Sequence, residues 1–538
     1  MSGVSQRDND YLASDSHQHH DDSVDEERKG LLSGEPLLPG PSKSKTHDFE
    51  FTTDRSWVKY LIFCAGAVFF GAAVYGTYLY DTRNDARERA KAMHFEGQTL
   101  RSNGTHDFKR TVLIVSIDGL RADYLDRGLT PHLLDISKQG LRAKFMRPIF
   151  PTLTFPNHWA LMTGLYAESH GIVANNFWDA ETDSEFHYNK EAICWEPHWW
   201  FGEPMWETAE KAGVINANLM WPGPPKTSSG AAPTYFVPWR DHVPLSEKLD
   251  QITSWIDLPL EHTSPLLTKP AIGPAPIPPL STKRSATSTS SRKNLQDALV
   301  ARNLTNIVDI VFVSDHGMTD TSHPELVYID KLLGADGWAA VQHEDGWPSM
   351  GLHFRPGANV THFLDVLTKA AGENEEKFEV HTPETMPERY HFAYSNRIAP
   401  VYVIPKMGYV LTTKKEGDVG LSKGVRATFP FFREPTLTCV SAVQNHGYDN
   451  ADPSMYAMFV AHGPFSAVAK AIHQSRAANP VKRALLRPNK GWHSTADDTY
   501  VMDGFQNVEV YGLVMKLLGI QRWAAHTNGT SGFWDKYF

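Results

Sequence analysis

The sequence predicts an α/β fold: a domain with a mostly parallel central sheet flanked by helices, preceded by one transmembrane helix. Three observations carry this. Two unbroken apolar, β-branched runs, Thr111 to Ile117 and Ile307 to Val313, end in Asp118-Gly119 and Ser314-Asp315-His316-Gly317. Such runs suit strands buried on both faces of a parallel sheet, and ligands then gather at the carboxyl ends of the strands. Helical patterns lie between them, after Thr154 and around Trp206 to Ala212. Residues 60–80 carry no charge.

The chain has 538 residues and a formal net charge of −10. That length allows one large domain with a sizeable core. The mild acidity argues against a stable nucleic-acid partner bound through a basic surface. Three cysteines are too few for a disulfide framework. Cys64 falls in the apolar run; Cys194 and Cys439 could pair in an oxidising compartment or stay as two buried thiols, and both readings stand.

Residues 1–56 are polar, with clusters at His17 to His20 and Asp21 to Glu27, and read as a disordered cytosolic tail. Glu27 with Leu31-Leu32 resembles an acidic dileucine sorting signal, against the blander reading of a solvated tail. Residues 57–80 read as the transmembrane helix: as a helix, 60–80 would span about 31 Å, enough for a bilayer core. Trp57 and Tyr60 flank one end, Tyr78 and Tyr80 the other. Positive charges flank both sides, so they do not orient the span. The sequons Asn103, Asn303, Asn359 and Asn528 all follow it. Their one-sided placement favours a type II protein of the secretory pathway, at the cell surface or vacuole, with its large domain lumenal or extracellular. Residues 81–109 read as a stem, 110–538 as the main domain. Within it, 262–293 is rich in Pro, Ser and Thr without periodicity and reads as a flexible insert.

Carboxylates and imidazoles at adjacent strand ends are what a zinc-like ion needs: Asp118 after the first run, Asp315 and His316 after the second. Alone, an Asp-Gly after a strand is more often a turn. Pro151-Thr152-Leu153-Thr154-Phe155-Pro156-Asn157-His158 opens a helix that breaks at Gly164. Pro156 suits its first turn, so Thr154 sits near the N-cap, either as a plain cap or as a hydroxyl whose alkoxide the helix start and a cation would stabilise. His446, in Asn445-His446-Gly447-Tyr448-Asp449-Asn450, and Asn175, after Gly171-Ile172-Val173-Ala174, are further candidates; each could instead shape a turn.

Together IDGLRADYL, PTLTFPNHWALMTGLYAESHGIVANN, GEPMWETAE, WPG, VSDHGM, NHGYDN and NVEVYGL resemble, in order, the nucleotide pyrophosphatase/phosphodiesterases of the alkaline phosphatase superfamily. The resemblance runs from about residue 110 to the C-terminus. It implies an alkaline-phosphatase-like domain with two zinc ions. One would be held by Asp118, Thr154, Asp315 and His316, with Thr154 as the nucleophile that forms a covalent nucleotidyl intermediate. Asn175 would stabilise phosphoryl charge; Phe155 and Trp206 would contact the nucleobase. Substrates would be nucleotides or nucleotide sugars, cleaved to nucleoside 5′-monophosphates. A sulfatase of the superfamily would need Cys or Ser where Thr154 stands.

The second ion would need His446 and an Asp-x-x-x-His pair between Trp221-Pro222-Gly223 and Ile307. That pair is missing, and the segment 262–293 stands in its place. Asp257 and His262 are five apart and are not assigned as ligands. Losing two of three ligands should abolish or weaken this ion, so impaired activity is expected. A mis-joined exon and an inactive membrane-anchored glycoprotein of the same fold both explain the segment.

Overall fold

The computed structural model describes residues 56–93, 100–258 except 129, 266–269, 295–417 except 322–323, 444–477, 493–494 and 500–537. The dileucine run, His262 and Cys439 lie outside them.

The chain divides into two units, 1–71 and 72–538. Helix α1, Ser56–Met93, runs across this division. Within it Trp57–Tyr78 is long and apolar enough to cross a membrane, with a mean hydropathy of 1.8 and none of it buried. The helix continues into the expected stem, whose Ala-, Arg- and Glu-rich run favours helix. Arg101–Ser102 and Asp107–Phe108 then pair as a short antiparallel hairpin.

A nine-stranded sheet organises the second unit. Its strands are β1 (Thr111–Ser116), β2 (Leu141–Ala143), β3 (Asn216–Leu219), β4 (Tyr235–Val237), β5 (Leu266–Lys269), β6 (Val308–Val313), β7 (Phe459–His462), β8 (His493–Ser494) and β9 (Tyr500–Met502). The spatial order is β8-β9-β2-β7-β6-β1-β5-β3-β4. From β6 to β4 every neighbouring pair is parallel; β7 runs antiparallel to both β6 and β2. All six residues of β1 are buried, as expected for a strand covered on both faces. A four-stranded antiparallel sheet, with strands Val341–Asp345, Met350–Phe354, Val401–Pro405 and Phe378–His381 in spatial order, carries its own cluster around Leu352, Leu367 and Val403.

Strand β5 corrects one expectation. Its four residues fall inside the stretch read as a flexible insert, yet they pair in parallel with β1 on one side and β3 on the other. Leu266 and Leu267 give this short piece its apolar, sheet-compatible character, which the surrounding prolines and serines hide from a composition argument.

A candidate cation site at the carboxyl end of the sheet

Register brings the two strand ends together. Ser116 pairs with Val313, so Asp118 and Asp315 each stand two residues beyond a paired position. The Gly119 amide donates to Asp315 Oδ1 at 3.0 Å and locks the two loops. Gly119 has φ +67° and Gly317 has no room for a side chain: a Cβ there would lie 2.0 Å from the Ser454 carbonyl oxygen.

Helix α2, Thr154–Thr163, begins at this edge, and Gly164 ends it with φ 68°. Thr154 stands next to the N-cap, as expected: Leu153 is the N-cap, with extended backbone and no side-chain cap bond, and Thr154 is the first helical residue. The Thr154 hydroxyl instead lies 3.2 Å from His316 Nε2. The plain capping role therefore fails, because the hydroxyl is turned toward the strand ends.

Asp118, Asp315 and His316 offer ligand atoms that all lie within 4.8 Å of one another. His316 Nε2 is 3.0 Å from Asp315 Oδ2 and 3.6 Å from Asp118 Oδ1. His316 Nδ1 donates to the Gly317 carbonyl at 2.8 Å, which leaves Nε2 as the ligand atom. Asp315 is fully buried, and its Oδ2 accepts no aligned hydrogen bond. A buried acceptor without a donor, beside a second carboxylate, an oriented imidazole and a hydroxyl, fits a divalent cation with mixed oxygen and nitrogen ligands. The electrostatics agree. Burial and then Asp315 push the Asp118 carboxyl above its usual range. Burial opposes ionisation of Asp315 too, but His316 and His158 outweigh it and hold that carboxyl low. Burial works against the His316 imidazolium, and Asp315 overcomes it. Protons thus occupy the role of the positive charge that a cation would supply.

His446 joins the same edge. Its ring stacks on His316 at 3.7 Å and 14°. Nδ1 donates to the Thr152 carbonyl at 2.9 Å, leaving Nε2 free for a ligand, and burial followed by His316 pushes its pKa down to about 3. Thr152 ties this loop further, accepting from the Gly447 amide and donating to the Tyr448 carbonyl. Among the described residues, however, His446 belongs to no group of three or more potential ligand side chains. Residues 263–296 contain no His, Cys, Asp or Glu, although β5 ends at this edge of the sheet beside β1. Asp257 is engaged twice at 2.7 Å by Arg302. Among the described residues, no ligand set for a second cation is completed around His446.

Asn175 accepts from the Phe155 amide through Oδ1 at 3.0 Å, so its Nδ2 is oriented as a donor beside the helix start. Phe155 is half-buried, its ring 5.3 Å from that of the exposed Tyr188. Trp206 corrects its expectation: only 1% of it is exposed, within the main hydrophobic core, so it offers no face to a nucleobase. The sequons Asn303, Asn359 and Asn528 are exposed and Asn103 is half-buried. Asn359 caps the helix Val360–Gly372, and Asn103 donates to the Arg302 carbonyl. Cys194 is buried and has no disulfide partner among the described residues.

Sequence reasoning missed Asn157 and His158. Asn157 accepts from the Ile149 amide and from Asn507 Nδ2, and donates to the Pro151 and Leu153 carbonyls. It shapes the loop that delivers Thr154. His158 is buried between Asp315 and Ser116, and burial lowers its pKa. Its spacing of four from Thr154 was the available signal.

The family model described as type I phosphodiesterase / nucleotide pyrophosphatase matches residues 112–272 and 292–449. An uncharacterised pyrophosphatase/phosphodiesterase of Schizosaccharomyces pombe is 33% identical over 446 residues, covering 80% of each chain. Human ectonucleotide pyrophosphatase/phosphodiesterase family member 5 is 30% identical over 372 residues, covering 66% of this chain and 69% of its own. The solved structure of an inactive variant of murine member 5, in complex with AMP, superposes with a TM-score of 0.60 at 24% identity, covering 79% of this chain and 98% of that one.

Proposed function

The chain belongs to the type I phosphodiesterase / nucleotide pyrophosphatase family of the alkaline phosphatase superfamily, and from that premise we propose that it hydrolyses nucleotide phosphodiester and pyrophosphate bonds with Thr154 as nucleophile. The observation that carries this reading is the Thr154 hydroxyl at the start of α2, 3.2 Å from His316 Nε2 and beside the Asp118, Asp315 and His316 cluster.

Asp118, Thr154, Asp315 and His316 would hold one zinc ion. Bound there, it would lower the pKa of the hydroxyl and offset phosphoryl charge. The residues supply the rest. Thr154 Oγ, its proton given up to solvent, would attack the phosphorus as the P–O bond to the leaving group breaks on the opposite side and that group takes a proton from water; a water would then break the Thr154 Oγ–P bond, releasing a nucleoside 5′-monophosphate and restoring the hydroxyl. Asn175 Nδ2 donates toward a non-bridging oxygen, held in that orientation by its bond from the Phe155 amide. Phe155 offers a ring face for a nucleobase; the AMP seen in the murine relative agrees with a nucleotide ligand. In the same reading α1 anchors the protein as a type II membrane glycoprotein, with Asn103, Asn303, Asn359 and Asn528 on the lumenal or extracellular side.

A second reading, an inactive anchored glycoprotein of the same fold, draws on one observation: residues 263–296 supply no ligand for a cation at His446. Turnover of a chromogenic thymidine 5′-monophosphate ester by the full-length protein, set against a simple phosphate monoester, separates the two. Diesterase activity that vanishes in Thr154→Ala supports the enzyme; wild-type protein indistinguishable from that variant supports the inactive form. Sequencing the transcript across codons 257–300 tests whether a mis-joined exon created the segment.

A further inference from the structure

We infer that His158 is a positioning residue that locks Thr154, Ser116 and Asp315 into one arrangement and so sets the geometry a divalent cation meets. The inference rests on the reading of Thr154 and Asp315 given under Proposed function.

The side chain of His158 is completely buried. It stands one helical turn after Thr154, and its Nδ1 lies 2.9 Å from the Thr154 carbonyl oxygen. A carbonyl only accepts, so Nδ1 carries the proton. The same N–H is 3.4 Å from Asp315 Oδ2, the carboxylate oxygen that accepts no aligned hydrogen bond. Nε2 lies 2.9 Å from Ser116 Oγ, and with Nδ1 protonated the hydroxyl donates into it. One imidazole therefore touches the start of α2, the last residue of β1 and the loop after β6. Its freedom to swing is removed by Trp221, whose ring meets it edge-on at 5.1 Å and whose Nε1 donates to the His158 carbonyl at 3.3 Å.

A core histidine that only fills space would need none of these three directions. Here two hydrogen bonds fix the backbone under the Thr154 hydroxyl and the last residue of β1, two residues before Asp118, and the same N–H approaches the second oxygen of Asp315 at 3.4 Å. Partners that orient ligands without touching the ion typically change metal affinity by about 10–100-fold when removed.

The test titrates Co(II), whose visible absorption reports its coordination, into full-length wild type, His158→Asn, His158→Leu and Ser116→Ala. Melting temperature, kcat and KM are followed in parallel. His158→Asn keeps an N–H within reach of the Thr154 carbonyl and should retain most of the affinity. His158→Leu should bind Co(II) about 10–100-fold more weakly, with an altered spectrum and a lower kcat at little-changed KM. Ser116→Ala, nearly the same size, should shift both readouts less, in the same direction. Should His158→Leu not fold, Ser116→Ala and His158→Asn decide the matter. Folded variants with wild-type affinity and spectrum overturn the role of His158 alone. A wild-type protein that takes up no Co(II) overturns the cation reading, and this inference with it.

Discussion

Replacing Asn157 by Asp separates the structural role of this residue from mere space-filling. The native amide uses its full capacity: Oδ1 accepts two hydrogen bonds, at 2.8 and 3.0 Å, and Nδ2 donates two, at 3.0 and 2.9 Å. Aspartate keeps the volume and the accepting oxygen, but turns its other oxygen toward the Pro151 and Leu153 carbonyls. The site is fully buried. An ionised carboxylate there keeps the Ile149 amide and Asn507 Nδ2 as donors to one oxygen, but sets its other oxygen, without a donor, against two carbonyl oxygens, so the folded state should hold the proton and the carboxyl pKa should rise above about 3.9. A carboxyl raised in the folded state contributes stability below its unfolded pKa and loses it as pH rises toward the folded one. Over that window the deficit grows by about 1.36 kcal/mol per pH unit, reaching at most roughly 2.7 kcal/mol from pH 5 to pH 7, the full amount when the folded pKa lies above 7. That is a large share of the roughly 5–15 kcal/mol that holds a domain together. Asn157→Ala should differ. It removes the acceptor for two buried donors, the Ile149 amide and Asn507 Nδ2, at about 1–3 kcal/mol each, with little pH dependence. Urea unfolding of wild type and both variants at pH 5, 6 and 7 measures this. A deficit for Asn157→Asp that stays flat with pH, or stays under about 1 kcal/mol throughout, would refute the hydrogen-bond accounting.

Three further outcomes are expected. Metal analysis of the purified full-length protein should give one divalent cation per chain rather than two, since His446 has no grouped ligand among the described residues; two tightly held ions would contradict this. Cation affinity should rise with pH between 6 and 9, by more than tenfold per unit in its steepest part, because Asp118 and His316 both hold protons above their usual ranges and must release them; calorimetry in buffers of different ionisation heat would show the proton release, and a pH-independent affinity would argue against it. Gly317→Ala should weaken cation binding or prevent folding, since the added carbon meets the Ser454 oxygen at 2.0 Å; a variant with wild-type melting temperature and affinity would show that the backbone has room to shift.

Much of the site was legible because its residues sit at chain positions with strong local signals. Asp118, Asp315 and His316 follow apolar runs that could only be buried strands, and Thr154 opens a helix marked by Pro156 and stopped by Gly164. Trp206 misled for the opposite reason. An aromatic in a recognisable motif gives no hint whether its face meets a ligand or, as here, the buried hydrophobic core. Strand β5 was hidden by length: four residues carry too little periodicity to outweigh the prolines that follow.

The sequence by itself determined the class of fold, an apolar helix at 57–80, the residue types that could hold a cation, and the lack of His, Cys, Asp and Glu between residues 263 and 296. These are properties of composition and spacing, which act locally along the chain. Only the tertiary structure decided that the Thr154 hydroxyl faces His316 rather than capping its helix. It also showed that His158 joins three elements, and that Asp257 is spent on Arg302. Each depends on strand register and helix docking across tens to hundreds of residues, where the direction of a side chain is fixed by partners that no local pattern names.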